Sequence, residues 1–150
     1  MSTNVTSVLN DLIETSRDGE QGFRKSAEHA KDATVKTLFT TRADDCARAV
    51  SELQALVVQL GGKPETSGSI SGALHRGWTE LKASVSSDDD LALLQECERG
   101  EDVAKKRYRQ ALDSDLPADV RAIIERQYQG VVSNHDRVRD LRDQYAARAK

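Results

Sequence analysis

The stretch Gln95-Glu96-Cys97-Glu98-Arg99-Gly100-Glu101-Asp102 places a glycine and a carboxylate where the apolar face of a helix should continue. An earlier stretch, Arg17-Asp18-Gly19-Glu20, has nearly the same pattern. If both lie inside long amphipathic helices, Glu20 and Glu101 point towards a shared interior. A buried carboxylate has to be paired, protonated or bound to a metal ion. These two glutamates are therefore the first candidates for a functional site.

The sequence on either side of these stretches predicts four long helices and no strand. Apolar and small residues recur every three or four positions, which is the period of one helix face. Gly61-Gly62 and Pro64 give the second helix a clear end, and Pro117 suits the first turn of the fourth. The fold class is therefore all-α. The four predicted helices cover residues 5–30, 34–60, 88–112 and 117–146.

The connection between the second and third helices is much longer than the other two. Residues 61–87 form a crossover that begins rich in Gly, Ser and Thr, and residues 70–85 within it predict a short amphipathic helix anchored by Trp78. Short connections make neighbouring helices antiparallel, whereas this crossover can span the length of a helix. We therefore expect a single domain over residues 1–150, built as a ferritin-like antiparallel four-helix bundle.

An internal repeat supports the same layout. An offset of 81 residues pairs Gly19-Glu20 with Gly100-Glu101. In the second helix of each half the offset becomes 85 residues, as between Val35 and Val120. The chain therefore reads as two helical hairpins that are related by approximate repetition.

Composition excludes several classes of function. Charged residues make up 31% of the chain but nearly cancel, leaving a formal charge of -3, so neither nucleic acid nor a membrane surface is an expected partner. No apolar run approaches the ~20 residues of a membrane span, and residues 1–10 do not resemble a signal peptide, so we expect a cytoplasmic protein. Cys46 and Cys97 lie inside helical patterns and predict free buried thiols rather than a zinc site or a disulfide.

Several of these motifs together resemble the bacterial ferritin-like family catalogued as domain of unknown function 2383. The resemblance covers nearly the whole chain. It implies a four-helix bundle related to ferritin and rubrerythrin and implies little about activity. The motifs that carry it are Leu9-Asn10-Asp11-Leu12-Ile13, Asp18-Gly19-Glu20, Leu60-Gly61-Gly62-Lys63-Pro64, residues 68–81 and Cys97-Glu98-Arg99-Gly100-Glu101-Asp102.

A di-iron site in a ferritin-like bundle needs one Glu from each of two helices and a Glu-x-x-His from each of the other two. Glu20 and Glu101 fit the single-Glu helices, but none of the three histidines has a Glu at the third position before it. One interpretation is that Glu20, Glu101 and His135, with Glu52, bind iron or manganese, for which carboxylate and imidazole are suitable ligands. The other is that they are buried polar groups hydrogen-bonded by the protein or by water. The protein groups available for that purpose are Arg42, Tyr108 and Gln127.

The incomplete ligand set beside an intact bundle pattern favours a non-enzymatic function. The leading hypothesis is a structural, interaction or stress-associated module, with no catalytic residues assigned. The alternative is a metal-binding carboxylate and histidine bundle with oxidoreductase or iron-handling activity. A third hypothesis is self-assembly into a homo-oligomer through an exposed helix face.

Overall fold

The structure, a computed structural model, describes residues 5–64 and 90–148. Within these ranges the chain is α-helical without strands, which confirms the predicted all-α class. The helix bounds lie within two residues of the predicted ones, except that residue 88, the predicted start of the third helix, lies outside the described residues. The predicted crossover helix at residues 70–85, with Trp78, lies outside them too. The helices are α1 (Val5–His29), α2 (Ala33–Gln59), α3 (Asp90–Leu112) and α4 (Ala118–Arg148).

Two glycines end α2. The Gly62 N–H donates to the Val57 carbonyl at 3.0 Å and the Gly61 N–H to the Val58 carbonyl at 2.9 Å, the pair of bonds that defines a Schellman motif. Gly61 has a φ of 83°, in the left-handed region that favours glycine. A Cβ on Gly62 would lie 2.5 Å from a methyl carbon of Thr6, so the second glycine lets the end of α2 approach the start of α1.

The start of α3 is fixed to the turn between α1 and α2. The backbone N–H groups of Lys31 and Asp32 donate to the Asp90 carboxylate at 3.0 and 2.9 Å. At the opposite end of the bundle, the Asn10 amide donates to the Lys63 carbonyl at 3.0 Å. Since α2 begins at the first of these contacts and ends at the second, α2 ends and α3 begins at opposite ends of the bundle. This is the arrangement that requires a long crossover.

Each helix packs mainly against two others. Helix α1 contacts α2 along its length and also packs on α3, and α4 packs on α3. Of the four pairs of neighbouring helices, α2 and α4 contact each other least, which leaves a cleft between them. None of the described helices is long and apolar enough to cross a membrane.

Two apolar cores fill the bundle, one towards each end, with a layer of buried polar groups between them. The layer lies at the level of Glu101 on α3 and contains polar side chains from all four helices. Its buried members include Ser16, Arg42, Glu101, Asn134 and His135. One core contains Leu9, Leu12, Ile13, Leu53, Tyr108, Val120 and Ile124, and the other contains Phe23, Phe39, Ala43, Leu93, Leu94, Cys97 and Val138.

Candidate functional site

Glu101 lies at the centre of the polar layer and is 2% exposed. Its carboxylate accepts hydrogen bonds from Arg42 on α2, at 2.9 Å from Nε and 3.3 Å from Nη2. It also accepts one from the Asn134 amide on α4, at 2.6 Å. Both carboxylate oxygens are therefore bonded to donors from neighbouring helices, and the charge is neutralised by a buried guanidinium.

The glycines of the two repeated motifs line the space around this ion pair. A Cβ on Gly19 would lie 3.2 Å from the Cys46 sulfur, so the glycine permits close approach of α1 and α2 at this level. Gly19 and Gly100 border a cavity of about 20 Å³ beside Arg42 and Glu101. This volume has room for about one water molecule. A two-metal centre has to hold two ions about 3.5–4 Å apart, and a space for one water molecule is too small for both.

A chain of hydrogen bonds leads from the layer to the surface through Ser16, Tyr108, Gln127 and Glu52. The Ser16 and Tyr108 hydroxyls are 3.3 Å apart, the Tyr108 hydroxyl donates to Gln127 at 2.8 Å, and the Gln127 amide donates to Glu52 at 2.9 Å. Burial raises the pKa of Tyr108, which keeps its hydroxyl protonated as a donor. Although partial burial opposes the charge of Glu52, hydrogen bonds from Arg126 and Gln127 lower the pKa of its carboxyl group.

Glu20 has a different environment from Glu101. Its side chain is 27% exposed and bonds to Arg24 one turn further along α1, at 3.1 Å. Arg24 is shared with Asp44 on α2, also at 3.1 Å. Glu20 is therefore part of a surface ion-pair network at the edge of the bundle.

His135 contacts two carboxylates on α3. Its Nε2 atom lies 2.8 Å from Asp102 Oδ1 and 3.7 Å from Glu98 Oε2. Its Nδ1 atom lies 3.2 Å from Asp136 Oδ1 on its own helix. The imidazole is nearly buried, with 9% of the side chain exposed, so α3 and α4 enclose it between acidic groups.

The structure does not bring the four residues predicted as metal ligands into one cluster. Glu101 bonds to Arg42, Glu20 to Arg24, and Glu52 to Arg126 and Gln127. That any of them binds metal stays a prediction. Within residues 5–64 and 90–148, the group of donor atoms close enough to share an ion is formed by Glu98, Asp102 and His135. The sequence carried a signal for the two acids, since their spacing of four residues places both on one side of α3.

The cleft between α2 and α4 has a volume of about 320 Å³, at the lower end of the range for small-molecule sites. Arg42, Tyr108 and Cys46 lie at its base, and the exposed Arg48 and Arg126 lie at its rim. The three arginines already bond to carboxylates, so they add no unbalanced positive charge that would select an anion. The pairs are Arg42 with Glu101, Arg48 with Asp45, and Arg126 with Glu52.

The helix order, the crossover layout and the central polar layer define a ferritin-like bundle. A crystal structure of a two-domain protein from Anabaena variabilis, containing DJ-1/ThiJ/PfpI-like and ferritin-like domains, is similar to it, with a TM-score of 0.78 and 19% sequence identity. The match covers 96% of this chain and 41% of that protein, so the chain spans less than half the length of its two-domain neighbour. This likeness confirms the ferritin-like fold predicted from the sequence.

The chain belongs to the family of the domain of unknown function DUF2383, whose model matches residues 4–114. The family resemblance found in the sequence motifs is thereby confirmed. The match includes α1, α2, α3 and the acids Glu98 and Asp102, and it ends before α4 and His135. No curated protein matches the sequence significantly.

Proposed function

We propose that this protein is a non-catalytic ferritin-like bundle that acts as a structural, interaction or stress-associated module. The observation that carries the proposal is the buried pair of Arg42 and Glu101. In this pair a guanidinium from α2 bonds to the carboxylate that a di-iron site would use. The Asn134 amide donates to the same carboxylate, so three protein N–H groups surround it.

The donor set around Glu101 does not fit a pair of iron ions. A di-iron bundle needs an acidic residue and a histidine from α2 and again from α4. At this level α2 supplies the cation Arg42 and α4 supplies the amide of Asn134. Placing a guanidinium beside two metal ions would add repulsion between like charges at a site of low dielectric. A structural role, in which Arg42 neutralises Glu101 and joins α2 to α3, agrees with these contacts and requires no side chain to move.

The test is oxygen-dependent oxidation of ferrous iron by untagged protein. We expect the wild-type protein and Glu101→Ala to oxidise Fe²⁺ no faster than buffer alone. Wild-type oxidation above the buffer rate, reduced in Glu101→Ala, would overturn the proposal. Circular dichroism of each protein establishes that the bundle is folded before rates are compared.

The second candidate is an iron or manganese bundle with oxidoreductase or iron-handling activity that uses Glu20, Glu101, His135 and Glu52. His135 favours it, because a nearly buried imidazole already faces carboxylates across the α3–α4 contact. It requires Arg42 to move away from Glu101 and Glu20 to leave Arg24. Ferrous oxidation at equal rates in wild type and Glu101→Ala would exclude this metal site with Glu101 as a ligand.

We also propose that this non-catalytic protein associates with copies of itself to form a homo-oligomer. Light scattering at several protein concentrations tests this assembly. A mass above that of the 16.5 kDa chain at micromolar concentration supports it, and a monomer at every concentration would exclude it.

A further inference from the structure

The cluster formed by Glu98, Asp102 and His135 has no part in the non-catalytic function proposed above, and Glu98 and Asp102 have no part in the second candidate either. It lies where α3 and α4 meet, with two acids one helical turn apart on α3 and the histidine on α4. One ligand atom from each residue can be chosen so that all three lie within 4.8 Å of one another. His135 Nε2 is the central atom, at 2.8 Å from Asp102 and 3.7 Å from Glu98.

Neighbouring groups orient the histidine in the way that metal-binding histidines are oriented. Asp136 Oδ1 lies 3.2 Å from Nδ1, on the side of the ring opposite Asp102. In the neutral tautomer with the proton on Nδ1, that N–H donates to Asp136, and the lone pair of Nε2 is directed at the two acids. A carboxylate that accepts from the second ring nitrogen fixes the tautomer and makes the first nitrogen a better ligand. This contact is independent of the acids on α3.

Glu98 is positioned in a similar way. Its side chain is 14% exposed, and its Oε1 atom accepts a hydrogen bond from Arg142 at 2.6 Å. The other oxygen, Oε2, faces His135. Arg142 thus fixes the carboxylate and leaves one oxygen directed into the cluster.

Negative charge exceeds positive charge around the imidazole. Three carboxylates, those of Glu98, Asp102 and Asp136, lie within 3.7 Å of its ring nitrogens. The nearby cations are Lys105, which acts on Asp136, and two arginines that are shared with other acids. Arg142 also bonds to Asp143 at 2.8 Å, and Arg139 bonds to both Asp136 and Asp140. A cation placed between the three donor atoms would offset this excess.

We propose that Glu98, Asp102 and His135 bind one divalent transition-metal ion, which links α3 to α4. Two carboxylates and an imidazole are suitable ligands for ions such as Zn²⁺ and Mn²⁺. Metal–ligand bonds of about 2.0–2.2 Å place neighbouring donor atoms roughly 3–3.5 Å apart. His135 Nε2 lies 2.8 and 3.7 Å from the two acids, and all three donor atoms lie within 4.8 Å of one another. The Asp102 side chain is 58% exposed and free to adjust its rotamer. The ion is separate from Glu101, whose oxygens bond to Arg42 and Asn134.

The competing explanation is a protonated histidine. An imidazolium ion that donates to Asp102 and Asp136 accounts for the two shortest contacts without a metal ion. The two explanations differ in two respects, because only the metal site requires a lone pair on Nε2 and only the metal site gives a saturable response to added ion. The experiment therefore measures both.

The test uses the full-length chain without an affinity tag, treated with EDTA and dialysed. Calorimetric titration with ZnCl₂ should give one site per chain. Asp102→Asn should weaken binding by at least tenfold and His135→Ala should remove it. Asp136→Asn, which changes the partner of the second ring nitrogen and weakens the ion pair with Arg139, should weaken it by about 10–100-fold. Matched controls are Asp140→Asn on the same helix and His29→Ala on α1, which should bind as the wild type does.

Nitrogen NMR of the histidine side chains supplies the second readout. We expect Zn²⁺ to shift the Nε2 signal of His135 and to leave that of His29 unchanged. Absence of saturable binding by the wild type, or equal affinity in Asp102→Asn, would overturn the proposal. Because Asp102 is largely exposed, Asp102→Asn should keep the bundle folded, so its result does not depend on whether His135→Ala folds.

Discussion

A buried ion pair such as Arg42 with Glu101 is a sensitive point of the fold. Each charge has lost its water on burial, and the attraction between the two offsets that cost only while both are present. The guanidinium lies across the bundle from α2 to α3, between the two apolar cores. The pair therefore fixes the level at which the two hairpins meet.

We predict that the free energies of unfolding of Arg42 and Glu101 variants are strongly non-additive. Arg42→Met and Glu101→Met each leave one buried charge without its partner, which should cost about 3–5 kcal/mol. The double variant removes both charges and should lose clearly less than the sum of the two single losses. Urea unfolding followed by circular dichroism measures all four proteins. Additive losses would contradict a direct interaction between the two side chains.

Glu20 and Glu101 correspond in the sequence repeat, yet only Glu101 is paired in the interior. The offset of 85 residues that relates the second helices of the two halves also pairs Arg42 with Gln127. Arg42 supplies a cation to Glu101, whereas Gln127 is neutral and bonds to Tyr108 and Glu52. Glu20 therefore pairs at the surface with Arg24. Periodicity placed both glutamates near one face, but partner choice depends on contacts between helices that periodicity does not contain.

Both cysteine thiols are enclosed by the bundle. Both cysteines are free and buried, as their helical positions predicted. Burial raises the pKa of Cys46 to about 12, although the Arg42 guanidinium acts in the opposite direction. Burial also raises the pKa of Cys97, whose sulfur lies 3.5 Å from the Ser26 hydroxyl. Thiolate is the reactive form, so both side chains should be inert in the folded protein.

We predict that a disulfide reagent such as Ellman's reagent labels neither cysteine of the folded protein at pH 8. The raised pKa keeps each thiol protonated, and both sulfurs are buried, although Cys46 lies at the base of the cleft. In guanidinium chloride both thiols, two per chain, should react at once. Fast labelling of one thiol in the folded state would show that its helix contact opens easily.

At the scale of the helices, the end of α2 was predictable because a local rule determines it. Gly61-Gly62 in the sequence indicated a helix stop, and the structure has a Schellman motif there. The cluster of Glu98, Asp102 and His135 was not recognised in advance, although its acids share one side of a predicted helix. Which residue of α4 faces that side depends on the rotation of α4 against α3. Packing decides this rotation, and the sequence pattern gives it only approximately.

Two glycine substitutions should have opposite effects on stability. Gly61→Ala places a Cβ on a residue with a φ of 83° and should cost about 1–2 kcal/mol. Gly130 lies within α4, and a Cβ there would meet nothing within 4 Å. Gly130→Ala should therefore increase the free energy of unfolding by about 0.5–1 kcal/mol, the difference between the two residues inside a helix. Chemical denaturation of the two variants beside the wild type measures both signs.

Across the whole molecule, the end of the bundle where α3 begins is held by polar contacts rather than by apolar packing alone. The Tyr145 hydroxyl near the end of α4 donates to the Asp32 carboxylate, in the turn between α1 and α2. Asp90 at the start of α3 binds the backbone of the same turn. The start of α3 and the end of α4 are thus both hydrogen-bonded to the turn between α1 and α2, so that all four helices are connected at this end. The central polar layer and this end differ in exposure, so they should respond differently to pH.

The hydrogen bond from Tyr145 shifts the pKa values of both partners. Donation from Tyr145, followed by that from the Thr34 backbone, lowers the pKa of Asp32 below its ordinary value of 3.8. Burial and the bond to Asp32 raise the pKa of Tyr145 from 10.0 to about 12. The folded state therefore favours ionised Asp32 and protonated Tyr145. The stability contributed by ionised Asp32 is complete above pH 3.8 and is lost as pH falls through its lower folded-state pKa. The stability contributed by protonated Tyr145 is complete below pH 10 and is lost as pH rises towards 12.

We predict that Tyr145→Phe reduces stability most between about pH 4 and pH 10. The difference in unfolding free energy between wild type and variant should shrink on both sides of that range, because the wild type loses the contribution of Asp32 in acid and that of Tyr145 in alkali. Urea unfolding at pH 3, 7 and 11 measures it, with Tyr128→Phe on the same helix as the matched control. A difference that stays constant from pH 3 to pH 11 would mean that Tyr145 contributes by packing alone, and the contact between α4 and the α1–α2 turn would then have no role in the pH dependence of the bundle.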